Sequence, residues 1–245
     1  MICLPCIVLA TKFPKVRQNE FERLDLGGCL KFLKRWSRSG LIEGVKKEIS
    51  EFSNPTVLSI GGFGPVDKEL RMLVEIKGGK YITFDIDPTH NPSILGDVQE
   101  ISRILGEVEL CPDLIVALEV LEHVQDPAVA ISECFSALKQ NGKLILSTPW
   151  IIPIHDRPFD FYRFTPAALE RYLCQFKQTS IYARGDFLDS IITLLLRGLF
   201  SDGKRGKILM TFGILLSITR RPPKIYRDIS KIDSCIGYLS ISTKH

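Results

Sequence analysis

With 245 residues, 45% of them hydrophobic and 24% charged, the chain has the material for one globular domain with a modest elaboration rather than for two domains. A formal charge of +4 is too small to argue for a nucleic-acid partner, and seven scattered cysteines, odd in number and mostly in apolar contexts, point to buried thiols in a reducing compartment, the cytosol, rather than to a disulfide framework. Cys3 and Cys6 have the spacing of a metal or redox pair, but no second pair follows, so no metal is expected; the apolar start MICLPCIVLA lacks a basic flank and is broken by Pro5, so no secretion signal is expected.

In chain order, residues 21 to 52 place Leu30, Phe32, Leu33, Leu41, Ile42, Val45 and Ile49 among many basic side chains, which predicts two short amphipathic helices hinged near Ser39-Gly40. The pattern then changes to short apolar runs alternating with helical stretches, the form of a mostly parallel α/β sheet. Strands are predicted at Thr56 to Ile60, Tyr81 to Ile86, Ser93 to Leu95, Asp113 to Ala117, Lys143 to Ser147 and Thr179 to Tyr182. The fourth of these is continuously apolar, as a strand covered on both faces is. Helices are predicted over 67 to 77, over 127 to 139 with a stop at Asn141-Gly142, and over Thr165 to Phe176 with Thr165 as cap and Pro166 at the first position.

After residue 186 the alternation stops. Phe187 to Phe200 and Ile208 to Ile218 are strongly apolar, yet each is shorter than the roughly 18 to 20 residues that a membrane-spanning helix requires. From Arg197 to Lys231 there are nine basic and two acidic residues. Two apolar helices with a basic turn and a basic exit suit a hairpin lying in one membrane leaflet, at the inner surface; a helical pair packed on the sheet edge and a homodimer interface are the other readings. A strand-like run, Cys235 to Ser242, ends the chain.

The chemistry gathers where strands end. Thr56 to Ile60 runs into Gly61-Gly62-Phe63-Gly64-Pro65 and then a helix, a geometry that presents unpaired backbone N–H groups to a polar or anionic ligand. Asp85, at the tip of the second strand, is placed to accept hydrogen bonds from both hydroxyls of a ribose, and Asp97 to bond the amine of an adenine. The glycines lack the G-x-G-x-x-G spacing of a dinucleotide site, which disfavours a nicotinamide enzyme.

The segment DLIVALEVLEHV followed by a helix and NGKLILSTP resembles the class I S-adenosylmethionine-dependent methyltransferases, over about residues 55 to 183, with 235 to 243 similar to that fold's antiparallel seventh strand. The resemblance implies an α/β, Rossmann-like, seven-stranded, mostly parallel sheet with helices on both faces, an N-terminal helical cover and a helical insertion before the last strand. It divides the chain into a tail and cover (1 to 52), a core (53 to 186), an insertion (187 to 231) and a closing strand (232 to 245). It also implies S-adenosylmethionine as cofactor, with Gly61, Gly62 and Gly64 under the methionine part, Asp85 on the ribose, Asp97 and Val98 at the adenine, and Leu118 and Glu119 near the sulfonium. The family usually has an acidic residue where Ser59 stands and glycines where Phe63 and Pro65 stand, so a non-catalytic, cofactor-free binding protein is the alternative.

Methyl transfer to a hydroxyl requires a base, and histidine is matched to neutral pH. Of four histidines, His123 and His155 fall at the carboxyl edge of the sheet, His90 near the ribose position, and His245 at the terminus. His155-Asp156-Arg157-Pro158-Phe159-Asp160-Phe161-Tyr162-Arg163-Phe164-Thr165 is similar to the H-x-x-P-x-D-Y-x-R-F-T segment of many members. The expected catalytic set is therefore His155 as base, His123, Asp160 as orienting carboxylate and Tyr162, with Arg163 paired to Asp160. The expected acceptor is an oxygen on a small-molecule, glycan or lipid-linked compound.

Overall fold

The structure is a computed structural model that describes residues 27–62, 65–197, 204–225, 229, 232 and 234–245. Phe63, Gly64, the Cys3/Cys6 pair and part of the 187–231 insertion lie outside the described residues. One sheet of seven strands organises the chain: β1 (Thr56–Ile60), β2 (Lys80–Asp85), β3 (Ile94–Leu95), β4 (Leu114–Leu118), β5 (Lys143–Pro149), β6 (Gln178–Arg184) and β7 (Gly237–Thr243), in the order β3-β2-β1-β4-β5-β7-β6. All pairs are parallel except those of β7, which runs antiparallel between β5 and β6. The fold is thus the one implied by the resemblance. The order reverses between β1 and β4, and ligands of such sheets bind at the carboxyl ends beside that reversal.

The strands alternate two apolar faces, which is why they read as unbroken hydrophobic runs. Leu58, Ile115, Ala117, Leu144 and Leu146 pack on α3 (Ile101–Glu107), α4 (Pro127–Ala137) and α5 (Pro166–Tyr172). Val57, Leu114, Val116 and Ile145 face α1 (Gly27–Ser50) and α2 (Pro65–Ile76) on the other side. α3, a single seven-residue helix entered from a 3-10 turn, has no counterpart among the predicted helices; buried Ile101 and Leu105 with partly buried Ile104 are too short an apolar signal to mark it. α5 is shorter than expected, but Thr165 caps it as predicted, accepting from Ala168 N at 3.2 Å.

The N-terminal cover departs from expectation: α1 is one continuous helix through Ser39-Gly40, not two. Gly40 serves close approach instead of a hinge, since a Cβ there would lie 2.6 Å from the Pro223 carbonyl. Leu41, Val45 and Ile49 are buried against the sheet, about 1.5–3 kcal/mol each, and Lys143 Nζ ties β5 to Glu48 of α1 at 2.7 Å. The thiols also divide differently from the buried set expected: Cys134 and Cys235 are buried, whereas Cys111 and Cys174 are exposed.

α6 (Phe187–Leu196) and α7 (Lys204–Ile218) form the insertion and cross closely at Gly213, where a Cβ would lie 2.9 Å from Leu195 Cβ. α6 starts with a capping box between Asp186 and Asp189, both of which also hold Arg220. Its inner face, with Ile192 and Leu196, packs on Ile152 and Ile236. The outer stripe of α7 is apolar: Ile208, Phe212, Leu215 and Ile218 are each more than half exposed. No helix among the described residues is long and apolar enough to cross a membrane.

Candidate active site

Three strand ends are stitched into one edge by backbone hydrogen bonds. Gly61 N donates to the Phe84 carbonyl and Gly96 N to the Asp85 carbonyl, both at 2.9 Å, so the glycine turn, Asp85 and the Gly96-Asp97 corner are neighbours. Gly61 has φ +64, which glycine adopts without strain. Gly62 is required for a different reason: a Cβ there would lie 2.0 Å from Ser59 Oγ and 2.4 Å from Asp67 Oδ1. Asp67, buried in the first turn of α2, thus sets a carboxylate beside the glycine turn where the strand offers only Ser59. Tyr81 donates to Asp67 Oδ1 at 2.6 Å; burial, with this bond, pushes the phenol pKa up.

Asp85 is preorganised. Its Oδ1 accepts from Asp87 N and its Oδ2 lies against His90 Nδ1, each at 2.9 Å, leaving further lone pairs on both oxygens. Ile86, 67% exposed, offers an apolar surface next to it. Asp97 caps the 3-10 turn Val98–Glu100, accepting from Gln99 N at 2.9 Å, and Val98 is partly buried behind it. Beside this edge a cavity of about 60 Å³ is lined by Arg38, Gly61, Gly62, Asp67, Leu118 and Glu119 among others. Four expected cofactor residues meet at it, whereas Asp85 and Asp97 flank it along the strand ends. The edge fits an adenosyl cofactor: glycines admit close approach, the cavity has the size of an amino-acid terminus, and Asp85 keeps acceptor capacity for hydroxyls.

The far side of the edge carries the charged residues. Glu119 follows β4 at φ 58, uncommon for a non-glycine residue. Ser147 Oγ donates to it at 3.1 Å and Arg184 Nη1 meets it at 3.0 Å. Burial opposes its ionisation, but the charges of Arg184 and Arg38 prevail and hold the carboxyl below its ordinary value. Glu122, three residues on, is fully buried, and neither carboxyl oxygen is hydrogen-bonded among the described residues. Burial first, then the charge of Glu119, raise it well above the usual carboxylate range.

Two histidines stand over Glu122. His123 donates from Nδ1 to the Phe159 carbonyl at 2.9 Å, which leaves Nε2 as the acceptor nitrogen, 3.7 Å from Glu122 Oε1. His155 Nε2 is 4.0 Å from the same oxygen, and the two rings meet edge to face at 5.0 Å. The donor atoms of Glu122, His123 and His155 lie within 4.8 Å of one another, a spacing that suits a shared proton or a divalent cation. His155 Nδ1 is 3.1 Å from Asp160 Oδ2 but not aligned for a hydrogen bond; that oxygen accepts from the His155 backbone N–H at 2.9 Å. Burial lowers the His155 pKa below its ordinary 6.5 despite the nearby charges of Asp160 and Asp156.

Asp160 also binds Arg163 through both oxygens. Burial works against it, yet these bonds and the His155 N–H hold its carboxyl below the ordinary value. Tyr162 donates its hydroxyl to the Gln125 carbonyl at 2.8 Å, so the phenol fastens the loop. His155, His123 and Asp160 are therefore brought together as a group, with Tyr162 at its margin. The residues missed by sequence reasoning are Arg38, Asp67, Glu122 and Arg184. Only Glu122 carried a signal, as the second carboxylate of the EVLEHV run.

Comparison with known proteins gives this arrangement its relatives. A methyltransferase-domain family model matches residues 36–181, more than half of the chain. The fold is similar to a SAM-dependent methyltransferase of Archaeoglobus fulgidus (18% identity, TM-score 0.51, 87% of this chain and 99% of that one). It is also similar to phosphoethanolamine N-methyltransferase 2 of Haemonchus contortus solved with S-adenosyl-L-methionine (12% identity, TM-score 0.52, 95% of this chain and 61% of that one). Among curated proteins, the ubiquinone biosynthesis O-methyltransferase of Xanthomonas euvesicatoria is 43% identical over 51 residues. That match spans 21% of this chain and 21% of the relative's length. By its family match and its sheet order, the chain belongs to the class I S-adenosylmethionine-dependent methyltransferases.

Proposed function

We propose that the chain transfers a methyl group from S-adenosylmethionine to an oxygen of a small-molecule acceptor. The observation that carries this reading is the turn Glu119 to Glu122, which lines the cavity at one end and meets a half-buried histidine pair at the other. The cofactor supplies an electrophilic methyl on a sulfonium, so the protein has to align, exclude water and take a proton. Asp85 grips the ribose, Asp97 the adenine amine, and Ile86 one ring face. At the other end Arg38 answers the carboxylate of the methionine part and Asp67 its ammonium, which replaces the acid missing at Ser59. His155, neutral at physiological pH, receives the acceptor's proton, and Asp160 steadies the imidazolium that forms.

The likeness to an O-methyltransferase supports oxygen and a small acceptor, short as it is. The test is transfer of labelled methyl to phenolic acceptors and, separately, to primary amines. Label is expected in the phenol ether; label in amines alone would overturn the choice of oxygen. Failure of S-adenosylhomocysteine to bind in calorimetry would favour the non-catalytic alternative.

The outer stripe of α7 supports a finer reading, that the acceptor is lipid-linked and met at a membrane surface. Phe212 and Ile208 stand exposed, with Arg221 and Lys224 exposed at the basic exit. The protein is expected to co-sediment with phosphatidylglycerol-containing vesicles, and Phe212→Glu to weaken this about 10-fold, the worth of one buried aromatic side chain. A wild type that stays in the supernatant removes the membrane reading, and a concentration-dependent dimer in its place assigns the stripe to self-association.

A further inference from the structure

The charge balance around Glu119 is uneven. Four guanidiniums, those of Arg38, Arg163, Arg184 and Arg197, act on this part of the cleft. Among the described residues only Glu119 and Asp160 pair with them, whereas Glu122, whose carboxyl burial pushes well above the ordinary range, pairs with none. Asp160 is taken by Arg163 through both oxygens. Glu119 meets Arg184 through one nitrogen, and Arg38 faces the cavity proposed for the cofactor's own carboxylate.

Two guanidiniums are left under-satisfied. Arg184 ends β6, and its side chain, 2% exposed, crosses the sheet edge over Gly237, where a Cβ would lie 2.7 Å from Nη2. Its Nε and Nη2 have no hydrogen-bond partner among the described residues. Arg197 ends α6, is half-buried, and has no ion pair among the described residues. Its place is fixed by Leu196, which packs with Ile152 and Ile236 and so sets the helix end against the loop that carries His155. Burial lowers the pKa of Arg197, and its charge in turn helps to lower that of His155. A guanidinium partly withdrawn from water without a counter-ion is costly, and the planar fork is matched to carboxylate and phosphate.

We propose that the acceptor carries an anionic group, a carboxylate or a phosphate, bound by Arg197 and backed by the unpaired, buried edge of Arg184, which turns the acceptor's hydroxyl toward His155. This rests on the methyltransferase reading and names the substrate class of that site. Three probes differ in charge at nearly constant shape: benzoate, phenyl phosphate and uncharged benzamide. They are titrated into the full chain saturated with S-adenosylhomocysteine, in wild type and in Arg197→Gln.

Wild type is expected to bind one of the anions at least about 10-fold more tightly than benzamide, a single charge-assisted contact's worth. Benzoate against phenyl phosphate decides which anion it is. Arg197→Gln should erase the preference while leaving S-adenosylhomocysteine affinity unchanged. Equal binding of all three probes, no binding of any, or a preference that persists in Arg197→Gln overturns the proposal. The cofactor reading fails separately, and visibly, if the first titration with S-adenosylhomocysteine gives no binding.

Discussion

Asp85→Ala lowers the affinity for S-adenosylhomocysteine by about 100-fold or more, as measured by calorimetry, while the apo protein keeps its helical content and melting transition. The size follows from the site. Asp85 is 9% exposed and already oriented by Asp87 N and His90, so on the proposed reading it would meet a ribose without first having to be ordered. Each of two charge-assisted bonds to hydroxyls contributes about 1.5–3 kcal/mol, and 100-fold corresponds to about 2.7 kcal/mol. The backbone bonds that tie Gly61 to Phe84 and Gly96 to Asp85 do not involve this side chain, so the edge persists without it. His90→Ala, which removes only the orienting ring, costs less, roughly the 0.5–1.5 kcal/mol of one hydrogen bond. An Asp85→Ala protein that binds as wild type does would remove the ribose assignment and leave the glycine turn as a plain chain reversal.

This site was legible in the sequence to the extent that its residues terminate strands. Gly61 follows TVLSI, and Asp85 closes its own strand, so the hydrophobic runs alone set them on one edge once the sheet is parallel. Thr165 with Pro166 was readable because capping is chemistry between near neighbours; the stop expected at Asn141-Gly142 is not the cap, since α4 ends at Ala137 with Leu138 extended and Asn141, at φ 62, lies in the turn beyond. What was not legible depends on distant contacts. Gly40 looked like a hinge because the partner that demands its missing side chain, Pro223, is remote in sequence. Arg184 reaches Glu119 only because β7 inserts between β5 and β6 and Gly237 leaves the passage open. Asp67 reads as an ordinary acidic first turn, yet the glycine turn folds back onto it and so brings a carboxylate beside Ser59 from a different element.

His155→Gln is expected to lower kcat by about 100- to 10,000-fold, the range for loss of a general base, with S-adenosylhomocysteine affinity unchanged, since His155 does not line the cavity at the glycine turn. The pH profile gives a second readout. A base must be neutral to act, and burial makes the neutral ring of His155 the easier one to keep, so its folded-state pKa lies below the ordinary 6.5. In wild type the acid limb of kcat/KM should therefore be centred below pH 6.5, as the ring takes its proton. The same sign governs stability: the unfolded chain binds this proton more readily, so the contribution is whole above 6.5 and declines as pH falls below it. Asp160→Asn removes the nearest anion, at 3.1 Å, without removing the ring. Loss of that charge disfavours the imidazolium, so the acid limb should move to still lower pH while kcat falls less than in His155→Gln. If His155→Gln keeps both its rate and its acid limb, the base is His123, whose Nε2 is left as an acceptor by the bond from Nδ1 to Phe159 and faces the same buried Glu122.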